Sequence, residues 1–346
     1  MAAQRAFRNV TREEVAWRLE LGKDDPDYVE LMWLDAELEG GWQVGIGWYR
    51  SRPHDGGRPA ITVNLLRPGH GFVEVHETFE PADFEPGEFG GRWGQNELVG
   101  RLDDAGRPLS FRLSVAIGDI AISLDAEVVA PGVKFTTAVP GFSHFRPDSG
   151  TAIGWWPLAP RADATGEITV DGQTVAVRGR IHLEKQLSSL PLAGAAGAAS
   201  AQSIWTWGHF SAGDYTGIWT DSAASAQLGY RHFTPFVLYK GGDPVMSTFA
   251  FASAVERFTV DADSGLPRPV VVTIRAVDGE REFFARLLDG RVSDQFELNG
   301  QRGAFYCRQV SRCEGELRHW GATTRMEGSA VHEWGTQAGN FPFAPA

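Results

Sequence analysis

Apolar and polar residues alternate in short runs along most of this chain, and the runs end at Gly, Pro, Asp or Asn. Alternation with period two places successive side chains on opposite faces, so these runs predict β-strands. Strands are expected at Trp42–Arg50, Ile61–Leu66, Phe72–Phe79, Leu109–Val115 and Ile120–Val129. Later ones are expected at Gly166–Val170, Thr174–Leu183, Ile204–Phe210, Pro235–Tyr239, Arg257–Val260 and Val270–Val277. Asp171-Gly172, Asp278-Gly279 and Asn299-Gly300 supply the residues that tight hairpin turns need. Helical character is confined to Thr11–Leu21, where Thr11 and Glu14 form a capping-box pattern. The run Tyr28–Leu38 is apolar on both sides, with Leu31, Trp33 and Asp35 on one and Glu30, Met32 and Leu34 on the other. Such a strand is expected to be covered on both faces. Many short strands with regular turns predict an all-β fold of sandwiches or barrels, not a parallel sheet with crossover helices.

At 346 residues the chain is long enough for two domains, each with its own core. The segment from Phe142 to Gly154, rich in Gly, Pro and Ser, sets the expected boundary, giving domains 1–150 and 151–346. A formal charge of −12 with no basic stripe argues against a nucleic-acid partner. Cys307 and Cys313 match no zinc spacing and read as ordinary thiols. The first twenty residues carry charges throughout and lack a signal-peptide core, and no run is long and apolar enough to span a bilayer. A cytoplasmic protein without membrane insertion is the expectation. The stretch from Ala193 to Ser203, mostly Ala, Gly and Ser, reads as a loop that could cover a binding site.

Twelve tryptophans are the most informative feature of the composition. Trp33, Trp42, Trp48 and Trp93 fall in the first half, and Trp155, Trp156, Trp205, Trp207 and Trp219 cluster later. Aromatic faces with one polar handle suit a pocket for an extended apolar ligand, although β-sandwich cores also use them.

The run Tyr28-Val29-Glu30-Leu31-Met32-Trp33-Leu34-Asp35-Ala36 resembles the opening strand of a lipocalin-like family, the carotenoid 1,2-hydratase and AttH-like proteins with the related lipocalin-like Diels–Alderases. Gly154-Trp155-Trp156-Pro157, the pair Gly166–Gly172 and Val175–Gly179, and Ser203–Phe210 with its Trp205-Thr206-Trp207-Gly208 resemble later strands of that family. The resemblance implies two lipocalin-like β-domains, a hydrophobic pocket between or within them, an apolar small-molecule substrate and no cofactor. After Gly179 it places Glu184 where the family's motif has Asp and His182 at an aromatic position, while the motif's second His and its Trp are absent.

By alternation His182 and Glu184 share a strand face with Arg178 and Arg180, either as a proton-handling pair or as a solvated outer face. Glu30, between apolar face neighbours, is expected to have a raised pKa, as a general acid or as a buried acid paired to an arginine. Trp33, Asp35, Trp155, Trp156, Trp205, Trp207, His209, Trp219 and Tyr230 are the candidate substrate contacts, with Asp214, Tyr215 and Asp221 weaker. His76-Glu77 and His332-Glu333 lack a further ligand at metal spacing, so no metal is expected. No nucleophile elbow, P-loop or dinucleotide fingerprint is found. These features point first to a cofactor-free cyclase or isomerase of a polyene, terpenoid or polyketide intermediate, working by pericyclic Diels–Alder-type closure or by acid-initiated cyclisation. A hydratase of an isoprenoid alkene comes second and a non-catalytic carrier third.

Overall fold

The computed structural model describes residues 7–21, 28–135, 153–188, 202–224, 232–262, 264–297 and 304–336. Residues 193–201 of the Ala/Gly/Ser stretch, Tyr230 and the Asn299-Gly300 turn lie outside them. The all-β expectation holds. The described strands form an 11-stranded sheet, a 10-stranded sheet and a two-stranded pairing of Phe7–Asn9 with Val133–Phe135, and all the pairings are antiparallel. The helical segment is one turn, Arg12–Val15. Its capping box is in place, with the Thr11 backbone N–H donating to Glu14 Oε2 at 2.8 Å.

The chain divides into two compact units, one running from Arg5 to Pro191 and the other beginning at Leu192. This corrects the boundary expected near residue 150. The strands Ile153–Val170 and Gln173–Ser188 belong to the first sheet, where they lie between Val29–Leu38 and Ile120–Ala130. Most of the Phe142–Gly154 segment on which the expected boundary was placed lies outside the described residues, and pairing across more than a hundred residues has no local signature.

In the first sheet Arg58–Leu66 and Val29–Leu38 are buried on both faces, and the edge strand Phe72–Thr78 on neither. Val29–Leu38 is almost wholly buried, whereas Pro108–Ile117 and Ile120–Ala130 alternate buried and exposed residues. One face of Val29–Leu38 carries Met32 and Leu34 into an apolar cluster with Trp17, Trp48, Trp93 and Trp156. The opposite face is the polar one described below. In the second unit Phe210, Trp219, Phe236, Phe251 and Phe283 fill the core, with the Phe210 and Phe283 rings stacked at 5.3 Å. No helix among the described residues is long and apolar enough to cross a membrane.

Candidate functional site

The antiparallel register sets Glu184 opposite Trp33 and His182 opposite Asp35. Next to them across the sheet, Pro157 pairs with Glu184 and Trp155 with Gln186. Paired residues point the same way, so one face gathers Trp33, Asp35, Trp155, His182, Glu184 and Gln186. His182 and Glu184 are buried, which removes the solvated-face alternative. Their alternates Ile181 and Leu183 are buried too, on the core side.

Glu184 is the hub of this face. Its Oε2 accepts from Trp155 Nε1 at 2.6 Å and lies 3.0 Å from His182 Nε2, and its Oε1 accepts from Gln186 Nε2. Two N–H groups that can only donate meet the carboxylate, so the consistent assignment puts the proton of the third contact on His182 Nε2. His182 Nδ1 faces the Pro160 carbonyl at 3.4 Å, at the limit of a hydrogen bond. Trp155 is stacked on Phe135 at 5.2 Å. Two strands away, Trp33 Nε1 donates to Asp35 Oδ2 at 2.9 Å. Its indole lies flat against Gly45 and Gly47, where a Cβ would meet the ring at 3.0 and 3.1 Å. Only glycine permits that approach, and the result is an aromatic floor on a bare strand.

Glu30 sits on the other face, and its expected role is corrected. It is fully buried with Lys185 Nζ at 2.9 Å and Arg50 Nε at 2.5 Å, and it also accepts from the Arg18 backbone N–H. Burial works to raise this carboxyl, but Lys185 and Arg50 outweigh it and hold it below the ordinary carboxylate range. Burial lowers the Lys185 ammonium, with the Glu30 charge opposing. The pairing alternative is therefore the one realised, and a charged, capped carboxylate is no general acid. Its partners were hidden from the sequence because Lys185 approaches only through the register that sets it beside Met32.

Trp156 faces this same core beside Lys185, and Trp219 is buried in the core of the second unit, so neither lies on the face of its dyad or tryptophan neighbours. In that second unit Trp205, Trp207 and His209 share one face as expected. Trp207 and His209 meet edge to face at 5.6 Å. The sequence missed what stands beside them. Tyr306 Oη donates to Glu333 Oε1 at 2.6 Å, Arg308 also bonds Glu333, and the Arg308 guanidinium lies 5.3 Å over the Trp207 ring. The sequence held no local signal for them, because Glu333 reaches Trp207 only by pairing across more than a hundred residues. Asp214 stands in the turn before Tyr215–Ala224, an interior strand of this unit's sheet that carries Tyr215 and Asp221, and Asp221 accepts from Ser253. Among the described residues no group of three His, Cys, Asp or Glu is arranged to hold a metal ion. Cys307 and Cys313 are buried thiols, and burial pushes the Cys307 thiol up to about 12.

No protein-family model and no curated protein matches the sequence. Solved structures do match the fold over nearly the full chain. CghA superposes with a TM-score of 0.64 at 12% identity, covering 97% of this chain and 99% of its own. CghA with Sch210972 gives 0.59 at 13% identity over 90% and 89%. An AttH-type protein (NE1406) from Nitrosomonas europaea gives 0.60 at 15% over 94% and 98%. Kievitone hydratase from Nectria haematococca gives 0.52 at 11% over 94% of each chain. At such identities the likeness establishes the two-domain lipocalin-like fold, and the resemblance drawn from the motifs is met at that level.

Proposed function

We propose that the protein is a cofactor-independent cyclase or isomerase of an apolar polyene, terpenoid or polyketide intermediate, with His182 and Glu184 as its proton-handling pair. The observation that carries this reading is the buried His182–Glu184–Trp155 cluster beside the Trp33 floor. An acid–base pair on an aromatic, water-poor face suits proton transfer to an unsaturated hydrocarbon. In the proposed step His182 in its imidazolium form gives a proton to one carbon of an alkene. A second alkene attacks the cation so formed, making the new carbon–carbon bond. Loss of a neighbouring proton to the pair restores the enzyme and yields an isomer of unchanged mass. Indole faces stabilise the cationic stage, and Glu184 keeps the imidazole oriented.

Hydration is the second reading. The same pair would protonate the alkene, water would add to the cation, and the surplus proton would return to the pair. The presence of a hydratase among proteins of this fold supports keeping it. The test is mass spectrometry of the metabolite that accumulates when the gene is deleted, before and after adding purified protein. A product of unchanged mass and new retention time supports the isomerase. A product heavier by one water assigns the hydratase, and a compound bound but unaltered leaves only a carrier.

A further inference from the structure

The polar face continues past the Trp33 floor to a residue no motif singled out. Asn64, in the strand Arg58–Leu66, pairs with Gly45, which pairs in turn with Asp35. It therefore stands on the same face as Trp33, Asp35 and the His182–Glu184 pair, on the far side of the glycine strip. A Cβ on Gly45 would meet Trp33 at 3.0 Å and the Asn64 Cβ at 3.4 Å, so both side chains close over the same glycine. Asn64 is 8% exposed, yet its Oδ1 is buried with no hydrogen-bond partner among the described residues. Its strand neighbours on both sides, Val63 and Leu65, are fully buried core residues.

A buried carboxamide acceptor left unsatisfied loses its hydration with nothing in return, and Asn has two donors and two acceptor sites to fill. Either orientation of the amide leaves a polar atom waiting at this spot. The same strand could have carried Val or Leu without that cost. We infer that Asn64 is the anchor for a polar head group of the ligand, one that offers both a hydrogen-bond donor and an acceptor, as a carboxamide does. This rests on the functional reading above and narrows its substrate class. Asn64 and Glu184 are three strands apart, roughly 14 Å at ~4.8 Å per strand. The ligand is then an apolar chain of about that reach, its head on Asn64, its middle on the Trp33 indole and its reacting carbons at His182. Asn64 is thus a positioning residue that sets which carbons of the chain meet the pair.

The test uses two fluorescent probes differing only in the head, the primary amide and the methyl ester of all-trans-parinaric acid, titrated into the full chain. The amide can donate and accept, whereas the ester only accepts. The expected result is amide binding about tenfold tighter than ester, a typical return for satisfying one buried polar group. In Asn64→Leu, whose side chain is of similar size, the ratio should fall to within twofold. In Asn64→Asp, which keeps the acceptor, preference for the amide should survive, and this variant carries the test if the leucine variant does not fold. Equal binding of both probes to the natural protein, or an unchanged ratio in Asn64→Leu, overturns the anchor while leaving the isomerase reading intact. Failure of both probes to bind overturns the apolar-ligand reading and the anchor together. An inactive protein that still discriminates the probes overturns only the isomerase.

Discussion

Lys185 and Glu30 show how a single side chain can be indispensable without adding much net stability. Both are out of water, and desolvation cancels most of what their attraction supplies. Removing one partner is a different matter, since Lys185→Met leaves the Glu30 carboxylate with Arg50, the Arg18 backbone N–H and the Tyr28 hydroxyl but without its ammonium. We expect that variant to lose about 3 kcal/mol in urea unfolding, and Glu30→Gln with Lys185→Met to lose clearly less. Equal losses would mean that the pair acts through packing alone. On the opposite face of the same strand, His182→Ala should slow isomer formation by at least about a hundredfold, the usual contribution of a positioned acid. Glu184→Gln should do the same with little change in substrate affinity, because the amide still fills the space between Trp155 and Gln186 but cannot orient an imidazolium. A rate within threefold of the natural protein for both variants would remove the pair from the mechanism. At this scale the sequence was partly readable. Period two put His182 and Glu184 together, and the Thr11–Glu14 box was visible from two residues. Asn64 was not, since one Asn in Ile61-Thr62-Val63-Asn64-Leu65-Leu66 looks like a tolerated polar residue until its surroundings are known.

The strand Gln173–Ser188 carries two electrostatic systems on alternate residues, His182, Glu184 and Gln186 facing one way and Lys185 the other. A slip of one residue would bring Glu184 round to Glu30 and carry Lys185 to the aromatic side. Register is therefore held by charge as well as by hydrophobic pattern. The neighbouring strand Trp42–Arg52 contributes by what it lacks. A Cβ on Gly47 would come within 2.6 Å of the Tyr49 ring and 3.1 Å of Trp33. Gly47→Ala should lift the indole from its floor, shift tryptophan emission to longer wavelength and lower the melting temperature by several degrees, as overpacking of roughly 1–3 kcal/mol does. Unshifted emission in a folded Gly47→Ala protein would show that the floor is not as tight as drawn. Strand existence was legible throughout because alternation is local. The ends were longer in the structure, as at Phe251–Val260, where expectation began only at Arg257. There Phe251, Ala252, Ser253 and Ala254 offer too little contrast between faces for a period to be seen.

For the whole molecule, acid stability divides between the two units. His332 in the second unit is enclosed, and burial, aided by the Arg308 charge, lowers its pKa to about 3. Its Nε2 meets Ser311 Oγ at 2.8 Å. The unfolded chain takes up a proton near pH 6.5 that the folded unit refuses. Stability is then complete above that value and falls as pH drops toward 3, by up to ~1.4 kcal/mol per pH unit. Glu30, with a folded pKa below 4.5, starts to withdraw its share only under that pH. Thermal unfolding of the full chain between pH 7.5 and 5 should therefore move chiefly through the second unit, and His332→Gln should flatten the slope. An equal slope in that variant would place the acid sensitivity elsewhere. The division of the chain was the least legible feature of all, because strand Val29–Leu38 takes its second neighbour from Gln173–Ser188. That long reach has a consequence during synthesis. At ~5–20 residues per second, the early strand waits roughly ten to thirty seconds on the ribosome with one edge open. Through that interval Glu30 has Arg50 but no Lys185, and the nascent first unit presents a sticky apolar border to whatever else is in the cell.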